Sequence, residues 1–131
     1  MSFTQEEIEY LQTQPLARVA TVDDQGQPDV VPVTYEFDGT HINIGGFRPS
    51  ETRRHHNVAG GNQKLALVID DLVSTHPWSP RFLRIYGTAE VVNGPQPYLR
   101  VTPRISWSWN LSGEPLADSA RSNPPRRALH R

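Results

Sequence analysis

The alternation of hydrophobic and polar residues along most of the chain predicts a mainly β structure. A period of two residues places successive side chains on opposite faces of a sheet, as in the segment 29–37. Short apolar runs and the turn pair Asp38-Gly39 indicate further strands and a hairpin. The six predicted strands cover residues 16–22, 29–37, 40–45, 64–70, 81–92 and 104–111.

Two of these strands allow a prediction of side-chain direction. In 81–92, the residues expected to point inward are Leu83, Ile85, Gly87, Ala89 and Val91. In 104–111, Trp107 and Trp109 share one face, which favours core packing or a subunit interface, with stacking on a bound ring as the alternative. Asp70-Asp71 is expected to form a turn that ends the fourth strand.

Two short helices are predicted beside the strands. Thr4 followed by Glu7 fits a capping box, and Pro15 ends the first helix. The second helix covers about residues 50–59 and is stopped by Gly60-Gly61. Six strands, short turns and two small helices favour a barrel, because closure removes the exposed edges of a small sheet.

Length, composition and charge narrow the class of protein. The 131 residues predict one domain at residues 1–111, followed by a flexible Pro- and Arg-rich tail at 112–131. A net charge of −1 disfavours a nucleic-acid partner, and the lack of cysteine excludes disulfides and thiolate metal sites. No apolar run approaches the roughly 20 residues of a membrane span. We therefore expect a cytoplasmic protein with no membrane partner and no metal site.

The stretch 45–57 has the composition of an anion-binding site. Glycines after a strand let backbone N–H groups approach a ligand, and a helix N-terminus adds unsatisfied donors. Guanidinium groups bind phosphate or carboxylate in a bidentate way. The three cations of the stretch are Arg48, Arg53 and Arg54. On a helix, Arg54 and Asn57 share one face and Thr52 lies in the first turn; the alternative is a solvated basic face beside an ordinary turn.

Pro32 and Trp78 are two further candidate ligand contacts. A proline inside a strand removes a ladder donor, so Pro32 indicates a sheet edge, a bulge or the approach of a ligand. Its same-face neighbours Val30 and Thr34 would complete a platform for a planar ring, although a plain edge proline is the alternative. Trp78 lies in a proline-bracketed loop, which favours a role in covering a ligand.

Three motifs, in matching order and spacing, resemble the pyridoxamine 5′-phosphate oxidase-like split barrels. Residues 24–33 resemble that family's D-x-G-x-P-x-x-x-P-V strand, and 52–57 resemble its Ser/Thr-x-Lys/Arg-x-x-Asn phosphate helix. Residues 84–91 resemble its G-x-A-E-V strand. The stretches 68–71 and 106–109 look most like the actinobacterial branch of deazaflavin (coenzyme F420) enzymes.

The resemblance implies a six-stranded split β-barrel that forms a homodimer, with two flavin-type cofactors in grooves between the subunits. Thr52, Arg54 and Asn57 would hold the cofactor phosphate or the start of its charged tail, with Arg53 assisting. The residues along the ring and its approach would be Val31, Pro32, Val33, Gly45 and Gly46. Trp78 would close the pocket, together with Trp107 or Trp109 from the other subunit.

The chain departs from pyridoxamine-phosphate oxidases in two respects. It lacks the long C-terminal region that completes their substrate site, so we do not expect vitamin B6 oxidation. Arg54 stands where lysine is commoner, which keeps the charge and changes the donor geometry.

The leading hypothesis is an F420-dependent oxidoreductase. It would transfer a hydride between C5 of the deazaflavin and an electron-poor small organic substrate, with no catalytic side chain identified. An FMN-dependent oxidoreductase of the same family is the first alternative. A non-catalytic flavin or haem carrier is the second, and a nucleic-acid barrel using the face of Phe82, Arg84 and Tyr86 is the third.

Overall fold

The computed structural model describes residues 3–116 and 124–131, and it confirms the prediction of a mainly β split barrel with two short helices. The elements are α1 (Gln5–Thr13), β1 (Ala17–Val22), β2 (Pro28–Val33), β3 (Glu36–Phe37), β4 (Ile42–Ile44), a 3₁₀ turn (Pro49–Glu51), α2 (Arg53–Ala59), β5 (Lys64–Thr75), β6 (Trp78–Val92), β7 (Tyr98–Trp109) and β8 (Arg126–Leu129).

The strands form one curled antiparallel sheet. Its order is β2-β1-β5-β6-β7-β4-β3, and β8 pairs with β7 beyond the end of β4. β2 and β3 follow each other in the chain but share no ladder among the described residues, so the barrel is split between them. α1 lies near this split, where the Tyr35 hydroxyl donates to the Leu11 carbonyl at 2.7 Å.

The inner face of the sheet holds the hydrophobic core. The predicted inward residues of β6 are confirmed, with Leu83 and Ile85 completely buried. α1 adds Tyr10 and Leu11, and Thr4 caps it through the predicted box with Glu7. Burial of apolar surface is the main force that holds such a small barrel together.

Of the two alternatives predicted for Trp107 and Trp109, packing in the core is wrong, and a subunit interface stays a prediction. Tyr86 of β6 pairs with Ile105, whereas the next residue, Gly87, pairs with Pro103, so β7 carries one extra residue at this bulge. A single inserted residue exchanges the two faces of the strand beyond it. Ser106 and Ser108 therefore point inward, and the two tryptophans lie on the outer face of the sheet.

The predicted turn at Asp70-Asp71 is also wrong. β5 continues to Thr75, and the hairpin turn lies at residues 76–77. Asp71 remains inside the strand because the Arg81 guanidinium donates to both of its carboxylate oxygens, at 2.7 and 3.1 Å, and the Tyr10 hydroxyl donates at 2.6 Å. The bond from Arg81 holds the pKa of Asp71 below its usual range.

The strand count is eight among the described residues, against six predicted. The predicted strand 29–37 divides into β2 and β3, and residues 126–129 add β8. The predicted tail thus contains a strand at these four residues, its flexibility stays a prediction, and its residues 117–123 lie outside the described ones. The domain division at residue 111 stays a prediction.

Candidate functional site

The predicted second helix is divided at Thr52. The 3₁₀ turn precedes this residue, whose backbone is extended, and α2 begins directly after it. Thr52 is thus the N-cap of α2 and not a residue of its first turn. Its hydroxyl donates to the Pro49 carbonyl at 2.7 Å and accepts from the His55 N–H at 3.3 Å. The cap orients the first turn of α2, where Arg54 lies.

Arg54 has the properties of an anion-binding cation. Its side chain is partly buried, and burial lowers the pKa of Arg54 from its usual value, opposed by the charge of Asp29. Its Nη2 donates to the Gly45 carbonyl at 3.2 Å. Among residues 3–116 and 124–131, no carboxylate lies within ion-pair distance of its guanidinium. A half-buried cation without a counter-ion favours an anionic ligand.

Gly46 allows Arg54 to approach the backbone. Its φ of +102° is a conformation that residues with a side chain rarely adopt, and a Cβ there would lie 3.3 Å from Nη2 of Arg54. The sequence predicted that Gly45, Gly46 and Arg54 belong to one site, and the structure brings all three into contact. The close approach is a specific reason for glycine at position 46.

Asn57 and Arg53 take different positions on α2. The Asn57 amide donates to the buried Thr21 hydroxyl at 2.9 Å and so fastens α2 to β1. Arg53 is exposed and lies near Asp23. Two backbone hydrogen bonds lower the pKa of Asp23, and the charge of Arg53 lowers it to a smaller extent. Both residues belong to the same short helix as Arg54, and their roles toward a ligand stay predictions.

A groove of about 870 Å³ opens beside this helix start. Residues 34–36, Asn43, 45–50 and 95–98 line it. Its volume is in the range of small-molecule sites. Local sequence could not indicate the part contributed by Asn43 and 95–98, because these residues meet only when β4 pairs with β7. Phe47 also escaped prediction, although an isolated phenyl ring in a polar glycine-rich stretch is a signal that could have indicated it.

Two buried polar atoms near the groove lack a hydrogen-bond partner in the described part of the chain. They are Oδ1 of Asn43, which lines the groove, and Nδ1 of His55, which follows Arg54 in α2. Buried polar atoms are nearly always paired, and those that are not require an explanation. The unpaired Asn43 oxygen would accept a hydrogen bond from a donor on a ligand, whereas Arg54 beside Gly46 fits an anionic group such as a cofactor phosphate.

The three predicted ring contacts of β2 do not share a face. Val33 is buried and Val31 is partly buried, pairing with Ala17 and Val19 of β1 toward the core. Pro32 is exposed on the outer side of the sheet. β2 is an end strand of the sheet in this chain, as the alternative of an edge proline predicts. Only Pro32 of the three turns its side chain away from the core.

Trp78 is not brought to the groove within one chain. It begins β6 at the tip of the long hairpin, with 51% of its surface exposed. The groove residues 95–98 follow the other end of this 15-residue strand. In the described part of the chain, no three His, Asp or Glu side chains are grouped to hold a metal ion, and no helix is long and apolar enough to cross a membrane.

A curled antiparallel sheet, split between β2 and β3, with an arginine-bearing helix start beside a groove, defines the class of split-barrel cofactor-binding proteins. The comparison with protein families gives a match to pyridoxamine 5′-phosphate oxidase over residues 3–130. The chain therefore belongs to the pyridoxamine 5′-phosphate oxidase family and is an oxidoreductase of that family.

One relative agrees with this assignment, and two solved structures of other proteins share the fold. A 5a,11a-dehydrotetracycline/5a,11a-dehydrooxytetracycline reductase of Streptomyces rimosus is 36% identical over an alignment of 126 residues, with coverage of 87% of this chain and 87% of that one. An F420 reductase has a similar fold, with a TM-score of 0.59, 18% identity and coverage of 75% of this chain and 94% of that one. A FAD-binding protein of Mesorhizobium loti has a TM-score of 0.65, 14% identity and coverage of 81% and 94%.

Proposed function

We propose that this chain is an F420-dependent oxidoreductase that reduces an electron-poor, conjugated small organic substrate. The proposal depends on the environment of Arg54. Its side chain is partly buried, donates a hydrogen bond to the Gly45 carbonyl and has no carboxylate partner among the described residues. Such a cation at the edge of a groove favours the anionic end of a cofactor. The bound deazaflavin would supply hydride transfer, and the protein would supply position and exclusion of water.

Each residue of the proposed phosphate site has a distinct task. Arg54 would donate charge-assisted hydrogen bonds to the phosphate, and Thr52 holds the helix start that orients it. Arg53 would add a second, exposed cation for a charged tail. Asn57 keeps α2 against β1 and, by the family motif, would lie beside the same phosphate.

The ring of the cofactor would lie along β2 and the glycine pair. Gly45 and Gly46 line the groove next to Arg54, so they would border the approach from phosphate to ring. Pro32 would face the ring with its side chain, whereas Val31 and Val33 would contribute only backbone, because their side chains turn inward. We name no general acid, since no titratable group is shown at a reacting atom.

The substrate class is supported by the Streptomyces rimosus relative. Its name describes reduction of a dehydrotetracycline, a conjugated polycyclic compound, and 36% identity over most of both chains makes a related class of reaction the best expectation here. The F420 reductase among the similar structures supports the deazaflavin. The FAD-binding neighbour favours a flavin, so FMN remains the second candidate cofactor.

We further propose a homodimer with the cofactor at the subunit interface. Register places an apolar row across six strands on the outer face of the sheet. The row consists of Val30, Ala20, Ala66, Tyr86, Ile105 and Leu129. Val30 is 65% exposed and Leu129 43%, and contiguous exposed apolar surface typically marks an interface. In the dimer, the partner's Trp78, Trp107 or Trp109 would close the groove.

The proposal is tested by titrating the purified protein with F420 and, separately, with FMN, following quenching of cofactor fluorescence. We expect F420 to bind and to dissociate on dilution. Arg54→Ala should weaken binding by about 1.5–3 kcal/mol, the value of a hydrogen bond to a charged group, which is roughly a 10- to 150-fold rise in Kd. Arg54→Lys is the control and should lose less, because it keeps the charge.

The outcomes separate the candidates. A yellow preparation that retains FMN through purification would identify FMN, and not F420, as the cofactor. Tight retention of either cofactor with no reduction of any quinone or enone would favour a non-catalytic carrier. An Arg54→Ala variant with unchanged affinity would show that the phosphate site lies elsewhere. The cytoplasmic location stays a prediction.

A further inference from the structure

Phe47 is the most exposed large hydrophobic side chain in the described residues. Its exposed fraction is 85%, against 65% for Val30, the next highest. It lies on the wall of the groove, one residue after Gly46. Removing a phenyl ring from water is favourable, so a ligand in the groove that covers Phe47 would be stabilised by that contact.

The backbone holds Phe47 in this position. Gly46 before it has a φ of +102°, and Arg48 after it has a φ of +49° and a ψ of +57°. A left-handed conformation is unfavourable for a residue with a side chain and tends to occur at functional sites. Pro49 follows and disfavours the right-handed helical alternative for Arg48. The loop therefore sets the direction in which the Phe47 side chain leaves the backbone.

Arg48 covers one side of the ring. Its guanidinium carbon lies 5.3 Å from the centroid of Phe47, within the range of a cation–π contact. Glu51 holds the same guanidinium, with 3.6 Å between Nη1 and Oε2. The cation restrains the ring, and a ligand in the groove would stack on the side that Arg48 does not occupy.

We propose that Phe47 is a specificity-determining residue that stacks on a planar conjugated ring of the substrate. The assignment of this ring to the substrate, and not to the cofactor, rests on the proposed function. Arg54, at the proposed phosphate site, contacts Gly45 and Gly46, so the phosphate site and the ring contact are neighbouring but separate parts of the groove.

The rest of the groove fits a planar ring with polar substituents. Tyr35, Tyr98, Pro95 and Pro97 provide flat apolar surface, and Asn43 and Glu36 provide polar atoms. Aromatic contacts favour offset or edge-on stacking with flat partners. A small non-planar ring would gain much less from Phe47 than a fused aromatic system of the same reactivity.

The test measures binding of menadione, a planar electron-poor quinone, by isothermal titration calorimetry. The chain has no cysteine to which a quinone could add. Phe47→Ala should weaken menadione binding about three- to tenfold, the effect of losing one aromatic contact. Phe47→Trp should stay within about twofold of the wild type. Cyclohex-2-en-1-one, an enone with one non-planar ring, should bind both variants and the wild type with nearly equal affinity.

Leu72→Ala is the matched control, because it removes an exposed hydrophobic side chain of β5 that lies outside the groove. It should leave the Kd for menadione unchanged. Equal menadione affinity of Phe47→Ala and the wild type, or no menadione binding by the wild type at millimolar concentration, would overturn the proposal.

Cofactor titration and sedimentation distinguish this inference from the proposed function. Phe47→Ala should bind F420 or FMN as the wild type does. If neither cofactor binds the wild type while Phe47→Ala still loses menadione affinity, the ring contact stands and the proposed function falls. If Phe47→Ala changes a dimer into a monomer without affecting menadione, a second copy of the chain covers Phe47 and the inference is overturned.

Discussion

The buried carboxylate of Glu7 accepts a hydrogen bond from the Ser108 hydroxyl at 2.5 Å, joining α1 to β7 across 101 residues of chain. Its other oxygen accepts from the Thr4 N–H and from Nη1 of Arg126, each at 2.9 Å. One carboxylate therefore connects the helix cap, the bulged strand β7 and the C-terminal strand β8. Glu7 is only 1% exposed, so each of these bonds replaces one that water would otherwise supply.

Glu7→Gln should destabilise the protein and loosen β8. The neutral amide keeps the size of the side chain but loses the charge that Arg126 and Ser108 contact, which we expect to cost about 1–3 kcal/mol of unfolding free energy. Arg126 is 45% exposed, so water compensates part of its loss. Urea unfolding gives the free energy, and amide hydrogen exchange at 128–130 reports on β8.

Glu6→Gln is the control for this change, since Glu6 lies in the same turn and is exposed. It removes the same charge from the first turn of α1 without breaking a buried contact. Equal stability of the two variants would contradict the role assigned to Glu7.

His130 should make the protein less stable as the pH falls below about 6.5. Burial lowers the pKa of His130 from its usual value, opposed by the charge of Glu7 and assisted by that of Arg126. Below its usual pKa, this histidine binds a proton more readily in the unfolded chain than in the native state. The free energy of unfolding therefore has its full value above the pKa of the unfolded histidine and decreases as the pH falls toward the lower pKa of the folded one.

The pH prediction is checked by urea unfolding between pH 5 and pH 7.5. His130→Gln should flatten this part of the stability profile, because the titrating ring that contacts Ser106 at 2.8 Å is gone. His76→Gln, a change at the exposed hairpin turn, should keep the slope of the wild type. A wild-type slope in His130→Gln would show that another group titrates.

Gly87→Ala should disturb the bulge between β6 and β7. A Cβ at this position would lie 2.8 Å from the Thr102 carbonyl oxygen and 2.9 Å from Cγ1 of Val101. Backbone cannot yield cheaply, so we expect a loss of about 1–3 kcal/mol, measured as the urea midpoint. Gly45→Ala is the comparison, since a Cβ there meets nothing within 4 Å; it should change the unfolding free energy little. Equal midpoints would refute the close approach at Gly87.

Asn57 and Thr21 separate a structural contact from a ligand contact. Both Asn57→Ala and Thr21→Val remove the 2.9 Å bond between α2 and β1 and should reduce stability, Asn57→Ala by about 1–3 kcal/mol because it leaves the buried Thr21 hydroxyl without its partner. If Asn57 also contacts the cofactor, Asn57→Ala should raise the Kd of F420 more than Thr21→Val does. The same Kd in both variants would limit Asn57 to positioning α2.

The fold followed from the sequence wherever neighbouring residues decide the structure. The Thr4–Glu7 capping box forms as predicted, and the Asp38 side chain accepts from the Thr40 and His41 N–H groups in the expected hairpin. The inward residues of β6 follow from strict alternation. These features depend on residues at most a few positions apart, so local sequence specifies them.

The parts that escaped prediction depend on partners distant in the chain. The phase of β7 changes because Gly87 lets β7 approach with one extra residue, and alternation alone cannot show a bulge. β8 has no period of its own and forms only because β7 offers it a free edge beyond β4. Asp71 stays in a strand because Arg81 pairs with its charge and the Tyr10 hydroxyl donates a hydrogen bond to it.

The candidate site divides in the same way. The glycine pair, the helix start and Arg54 could be assigned from 13 residues of contiguous sequence, since their chemistry is local. Tertiary structure alone decided that Val31 and Val33 turn inward and that Trp78 lies at the end of β6 away from the groove. It also decided that residues 43 and 95–98 join the loop at Phe47 to make the groove. Sequence determines which groups a segment can offer, whereas strand pairing determines which of them meet.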